Sequence, residues 1–193
     1  MIGTKDDFLE KEITLEKTQK ASKSKAKLIA KFDIIQNLEV KMQIHGHKMH
    51  KTSWCCGSNN NNFLEISKPI ESVFNQQSQD KTEGFDANNL QIKESDWILV
   101  HRSDAINQNQ LCNWDEILDS KSKLASGRDD LPLKIKVMDH RNNGNHKLVG
   151  TAMKTLAELK LARERNTHIP IVLEGKERGS LTVEKYDTRS LGC

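Results

Sequence analysis

The chain has 193 residues, of which 35% are hydrophobic and 30% charged, and its formal net charge is +3. This length fits one domain with flanking segments, and so small a net charge gives no reason to expect nucleic acid as a partner. No apolar run approaches the roughly 18 residues of a membrane span, and the first residues do not have the pattern of a signal peptide. Four cysteines, two of them adjacent, make a poor disulfide framework and favour an intracellular setting.

The N-terminal part of the chain is polar and basic. Residues 17–31 carry six lysines and no acidic residue, interspersed with serine and alanine. Such a composition is typical of a linker, so we interpret residues 1–26 as an N-terminal arm. Segment 17–31 is a candidate docking segment for an acidic partner, although solubility is the simpler role for its lysines.

Two alternating segments then predict an opening β-hairpin, with strands over 27–35 and 38–44. A long polar loop over 45–62 separates this hairpin from a strand predicted over 63–67. The following segment, 68–95, is rich in Gln, Asn and Asp. We interpret it as an inserted surface loop, because long polar connections of this kind lie on the outside of a fold.

The second half of the chain alternates between short apolar segments and polar turns. Leu133, Ile135 and Val137 alternate with polar residues, which indicates a half-buried strand. Gly150 indicates a place where two backbones pass closely, and 155–165 has the composition of a short helix. Regular spacing of such short strands is typical of an antiparallel sandwich. The strands predicted after the insertion are 97–106, 114–118, 131–138, 148–155, 168–173 and 180–186.

Four segments, in this order, resemble the second C2 domain of copines. They are "NFLEI" at 62–66, "WILVHRSDAI" at 97–106, "NW" at 113–114 and "VMDHRNNGNHKLVGT" at 137–151. The resemblance implies an all-β fold, namely an antiparallel eight-stranded C2-type β-sandwich with Greek-key topology, one short helix and a basic N-terminal arm.

The resemblance also implies a division of the chain. Residues 1–26 would be a remnant of a preceding C2 domain, residues 27–187 the C2 domain with the insertion 68–95, and residues 188–193 a C-terminal tail.

Calcium ligands are the main departure from the resemblance. The family holds calcium with aspartates of its first and last loops, and calcium takes about six to eight oxygen ligands. Here the first loop, 45–62, has no carboxylate, and Arg141 and Lys147 stand where the last loop should have aspartates. Asp139 is the only calcium-type ligand retained. We therefore predict no cofactor, with calcium binding weak or lost, and expect Asp139 to cap its loop or pair with Arg141 or Lys147.

Basic residues suggest a replacement for calcium, namely direct attachment to an acidic phospholipid surface. A tryptophan in the first loop could insert at the lipid interface. Two lysines of the strand over 131–138 share a face, and Lys41 is expected nearby, although solvent-facing strand lysines also simply discourage aggregation. The alternative function is a protein–protein scaffold in a larger assembly. The candidate lipid or partner residues are Lys48, Lys51, Trp54, Lys134, Lys136, Arg141, His146 and Lys147.

Zinc and catalysis are less favoured interpretations. Five residues with zinc-binding side chains lie close together, but no standard ligand spacing matches and adjacent cysteines rarely bind one ion. The sequence has no phosphate-binding Gly-rich loop, nucleophile elbow or His-Glu-x-x-His motif, so we predict a non-enzymatic protein that is cytoplasmic and associates with membrane or with an assembly. The five zinc candidates are His45, His47, His50, Cys55 and Cys56.

Overall fold

The computed structural model describes residues 9–14, 27–32, 38–52, 60–79, 92–108 and 110–190. The chain divides into two compact units after Gln36. In the first unit, β1 (Leu9–Thr14) pairs antiparallel with β2 (Lys27–Phe32). A strand therefore exists where 27–35 was predicted, but its partner is β1. The predicted opening hairpin of 27–35 with 38–44 is wrong.

The second unit is built from antiparallel strands that form one hydrogen-bonded path in the order β5-β4-β8-β9-β10-β11-β3-β6, with β7 also beside β3. Between β9 and β10 the register has a single residue pair, Val172 with Thr151. At this weak junction the strands separate into two packed layers, which confirms the predicted antiparallel sandwich. The strands are β3 (Leu38–His47), β4 (Asn62–Pro69), β5 (Trp97–Arg102), β6 (Leu111–Asn113), β7 (Ile117–Ser120), β8 (Leu133–Asp139), β9 (Lys147–Lys154), β10 (Ile169–Leu173) and β11 (Lys176–Ser190).

The core lies between the two layers and follows from the period-two alternation of the strands. Met42 and Ile44 of β3 face inward from one layer, and Ile135 and Val137 of β8 face inward from the other; all four are at most 1% exposed. Burying each such side chain contributes about 1.5–3 kcal/mol. Gly150 of β9 is closely packed, because a Cβ there would lie 3.1 Å from Cβ of Ile171; the neighbour is a side chain and not the predicted backbone.

β11 takes the place beside β3 that the sequence assigned to 27–35. The pairing runs from Ser180 opposite His47 to Ser190 opposite Leu38. Because β6 and β7 pair with the other edge of β3, this strand already has partners on both sides. The division into 1–26, 27–187 and 188–193 stays a prediction, although the unit boundary falls after Gln36 and β11 continues to Ser190.

Three α-helices occur in the described part of the chain, whereas the sequence predicted one. The predicted helix is α3 (Leu156–Glu164), which starts with a reciprocal capping box between Thr155 and Glu158. The other two are α2 (Lys121–Ala125) and α1 (Glu71–Gln79). The start of the predicted insertion 68–95 is therefore helical, with Phe74 only 2% exposed. None of the described helices is long and apolar enough to cross a membrane.

Candidate functional site

Three connections meet at one end of the sandwich. Strand register places Asn62 opposite Asp139, and Asp139 opposite Lys147. The loop after β3, the loop between β8 and β9, and the β10–β11 hairpin therefore lie at the same end, which we call the loop end. Two backbone hydrogen bonds tie them together, from His50 N to Arg178 O at 2.8 Å and from His140 N to Asn61 O at 2.8 Å.

Asp139 is buried at the centre of the loop end, with 3% exposure. Its Oδ1 accepts a hydrogen bond from the backbone of Asn61 at 3.0 Å, and its Oδ2 lies 2.6 Å from Nη2 of Arg141. The hydroxyl of Thr52 also donates to Oδ2, and Arg141 Nη2 donates to that hydroxyl oxygen at 2.9 Å. The expected pairing of Asp139 with Arg141 is confirmed, so a guanidinium neutralises this carboxylate.

Asn60 holds the first loop in the shape that presents Thr52 to the carboxylate. The Asn60 side chain is 3% exposed; its Oδ1 accepts from the backbone N of Thr52 at 3.1 Å, and its Nδ2 donates to His50 O at 2.9 Å. A neutral amide therefore organises this loop with backbone contacts. Thr52 was not predicted as a site residue, because nothing in the local sequence pattern shows that it reaches a residue 87 positions away.

His146 belongs to the framework of the last loop. Its Nδ1 accepts a hydrogen bond from the backbone N of Arg141 at 3.1 Å, and its ring stacks on His140 with centroids 4.8 Å apart. Phe63 packs edge-on against the same ring at 5.1 Å. His146 therefore positions the last loop through this hydrogen bond and its ring contacts.

Two of the three zinc candidates that the structure describes, His45 and His47, contact other side chains. Nδ1 of His45 lies 3.9 Å from Glu184 Oε1, and Nε2 of His47 lies 2.7 Å from Thr182 Oγ1. His50 is exposed, while Cys55 and Cys56 lie outside the described residues. Over residues 38–52, 60–79, 92–108 and 110–190, no three His, Cys, Asp or Glu side chains are placed to hold one metal ion.

Lys134 and Lys136 share one face of β8 with an acidic neighbour, and their role in binding lipid or a partner stays a prediction. Glu94 accepts hydrogen bonds from both, at 2.7 Å from Lys134, and Nζ of Lys134 lies 4.2 Å from the centre of the Trp97 ring. Burial lowers the pKa of Lys134 although Glu94 opposes this, and the two lysine hydrogen bonds lower the pKa of Glu94. Lys41 is not nearby on a neighbouring strand, because β8 pairs with β4 and β9, whereas Lys41 is in β3.

The remaining basic candidates are at the loop end. Lys48, Lys51 and Lys147 are exposed there, and Lys48 begins the first loop with a φ of 51°. Trp54 lies outside the described residues. The structure thus brings together Arg141, Lys147, Lys48 and Lys51 from the two predicted loops, and separates Lys134 and Lys136 from them.

Two half-buried histidines, His47 and His101, predict a loss of stability in mild acid. Burial lowers the pKa of His101, whose Nε2 has no hydrogen-bond partner among the described residues. Burial is also the largest cause that lowers the pKa of His47, and the positive charges of His168 and His45 lower it further. The unfolded chain takes up these protons as the pH falls through 6.5, whereas the folded chain does not. Stability should therefore be full above that pH and decrease below it.

Urea unfolding at about pH 7.5 and about pH 5.5 measures this effect. His101→Gln, which stays neutral, should show a smaller pH difference than the unaltered protein. Carboxylates whose pKa is lowered in the folded protein, such as Glu94, also lose stabilising free energy as the pH falls. They do so only below the ordinary pKa of 4.5, so they do not interfere with the comparison. An identical pH difference in the variant would show that His101 does not contribute.

Comparison with solved structures places this fold in one class. No protein-family model matches the sequence. Similar solved structures are C2 domains, and the chain is a C2-type β-sandwich module, as predicted. One is described as BON1-C2B, with a TM-score of 0.58, 18% identity, and coverage of 81% of this chain and 95% of that chain. Another is a C2 domain of plant Extended Synaptotagmin 1, with a TM-score of 0.47, 14% identity, and coverage of 81% and 97%.

Proposed function

We propose that this protein is a non-enzymatic, copine-like C2 module that attaches to acidic phospholipid surfaces without calcium, at the cytoplasmic face of a membrane. The observation that supports this is the ion pair between Arg141 and the buried Asp139. In a calcium-dependent module the bound ion supplies positive charge at this end. Here a guanidinium is built into the loop, and the first loop contributes no carboxylate that would bind an ion.

The charge at the loop end fits this proposal in magnitude. Lys48, Lys51 and Lys147 are exposed there, and the Arg141–Asp139 pair adds no net charge. Each basic residue close to an anionic surface contributes about 1 kcal/mol, so three acting together contribute about 3 kcal/mol. This is sufficient for weak, reversible attachment that weakens as salt screens the charges.

Co-sedimentation with phosphatidylserine-containing vesicles tests the proposal. We expect equal binding in calcium and in chelator, and a strong loss of binding between about 0.1 M and about 1 M salt. Lys48→Glu/Lys147→Glu should abolish binding. The matched control, Lys160→Glu/Arg165→Glu, reverses two exposed charges on or beside α3 and should bind as the unaltered protein does.

Calcium-dependent binding would contradict the assignment of Arg141, and equal loss of binding in both double variants would contradict the assignment of the loop end. Absence of binding in every condition would favour the second candidate function, a protein–protein scaffold.

One observation favours that second candidate. Ile98 and Leu99 of β5 are 46% and 48% exposed, and β5 is the end strand of its layer in the described part of the chain. Exposed apolar side chains on a strand edge are suited to contacts with a partner chain. Pull-down comparing the unaltered protein with Ile98→Lys would test this function separately from lipid binding.

A further inference from the structure

A cavity of about 250 Å³ lies at the loop end, beside the Asp139–Arg141 pair. Its walls come from the first loop, the start of β9 and the β10–β11 hairpin. A cavity of this size lies below the range of pockets for drug-sized organic ligands, and it suits a small group on a larger molecule. The lining residues are His50, Lys51, Thr52, Lys147, Leu148, Val149, Leu173 and Arg178.

The lining contains both basic and apolar residues. Among the described residues, His50, Lys51, Lys147 and Arg178 line it, and no acidic residue does. The nearby carboxylate of Asp139 is neutralised by its guanidinium partner. The cavity therefore has a positive potential, which its apolar wall strengthens by excluding water.

Arg178 is the residue whose environment indicates that the cavity binds a ligand. Its Nε is buried and has no hydrogen-bond partner among the described residues, and no ion pair holds its guanidinium there. Its backbone carbonyl accepts from His50 N at 2.8 Å, which fixes the hairpin against the first loop. A buried donor of this kind calls for an acceptor, and a planar guanidinium matches the paired oxygens of a phosphate group.

Acidic residues on the same hairpin do not satisfy this need. Glu174 and Glu177 are both exposed, and neither lines the cavity. The hydroxyl oxygen of Thr52 already accepts from Nη2 of Arg141 at 2.9 Å and does not accept from Arg178. The groups available to a ligand are thus those of Arg178, Lys147 and His50.

We infer that this cavity binds a phosphate monoester, with Arg178 as its main contact and Lys147 and His50 at its rim. The terminal oxygens of a phosphate monoester supply several acceptors and about two negative charges, more than a phosphodiester such as the phosphatidylserine headgroup. The inference rests on the proposed function only where the phosphate is carried by a lipid. The same chemistry would also hold a free phosphate compound.

Two binding measurements on the full chain test the site. The first compares vesicles containing phosphatidylinositol 4-phosphate with phosphatidylserine vesicles of equal total charge, and reports the ratio of the two affinities. The second adds inorganic phosphate at constant ionic strength and records the thermal unfolding midpoint. We expect about a tenfold preference for the phosphomonoester vesicles, which corresponds to the phosphate contacts of one guanidinium.

Arg178→Gln should remove this preference and any phosphate-induced rise in the midpoint. Arg165→Gln, on the surface beside α3, should keep both. Arg178→Lys keeps the charge without the planar fork and should retain only part of the preference. A urea transition like that of the unaltered protein shows that a variant is folded; if Arg178→Gln fails this check, Lys147→Gln should show a reduced preference instead.

The outcomes separate the two sources of phosphate and the two proposals. A vesicle preference without an effect of inorganic phosphate identifies a lipid headgroup as the source, and a midpoint shift without a vesicle preference identifies a free phosphate compound. No response in either measurement, or a preference that survives Arg178→Gln, would overturn the site. Weak binding to phosphatidylserine vesicles alone would count against the proposed function and not against this cavity.

Discussion

Replacing Trp114 with alanine should lower the free energy of unfolding by about 3–5 kcal/mol. The indole is only 1% exposed, and its Nε1 donates to Asn62 O at 3.0 Å. The substitution therefore leaves a large cavity and removes one of the two hydrogen bonds that the Asn62 carbonyl accepts, the other coming from the backbone N of Ile106. Urea unfolding followed by circular dichroism measures the loss. Leu118→Ala, at a side chain that is 51% exposed, is the control and should change stability by about 0.5 kcal/mol or less.

Gly46 provides a second and more specific test of the same packing. A Cβ at this position would lie 2.8 Å from Cη2 of Trp114 and 2.5 Å from Cε of Met49. Gly46→Ala should therefore cost about 1–3 kcal/mol through overpacking. In a Trp114→Phe background, which lacks Cη2, the cost of Gly46→Ala should be smaller. Equal costs in both backgrounds would show that the two positions are not coupled.

The elements that the sequence predicted correctly are those specified by neighbouring residues. α3 follows from a local capping box, and β8 follows from the strict alternation of Leu133, Ile135 and Val137, all fully buried. α1 was not predicted, because its segment contains only two apolar residues, Val73 and Phe74, which are adjacent and form no helical pattern.

Strand pairing was harder to predict because partners lie far apart in the chain. Glu39 of β3 meets Arg189 of β11 across 150 positions. Alternation predicts that a segment is a strand but contains no information about which distant strand lies beside it. The nearest alternating segment, 27–35, was therefore taken as the partner of β3, and this prediction was wrong.

The candidate site shows the same division between local and distant information. The Asp139–Arg141 pair was predictable because both residues are in one short loop whose charges are visible in the sequence. The ion pairs of Lys134 with Glu94 cross 40 positions, and Glu94 lies at the end of a polar segment whose path the sequence does not specify. Arg178 was missed for the same reason, since it reaches the loop end only through the β10–β11 hairpin.

Neutralising either member of the Asp139–Arg141 pair should destabilise the protein, and the effects of the two substitutions should not be additive. Asp139→Asn removes the charge that the guanidinium and the Thr52 hydroxyl contact, and should cost about 1–3 kcal/mol. Arg141→Gln removes the cation that pairs with the Asp139 carboxylate, which is only 3% exposed. This substitution should lower the free energy of unfolding by a similar amount. The double variant should cost less than the sum of the single variants, because the second change no longer leaves an unpaired charge.

Arg189→Gln is the matched control for these variants. It breaks an ion pair between Arg189 and Glu39 in which the arginine side chain is 60% exposed, so it should cost about 0–1 kcal/mol. If Arg141→Gln costs no more than this control, or if the single-variant costs simply add, the loop-end pair does not stabilise the fold. A larger, non-additive cost, together with an unfolding midpoint that does not respond to calcium, is what we expect if a built-in guanidinium has taken the structural role of the ion.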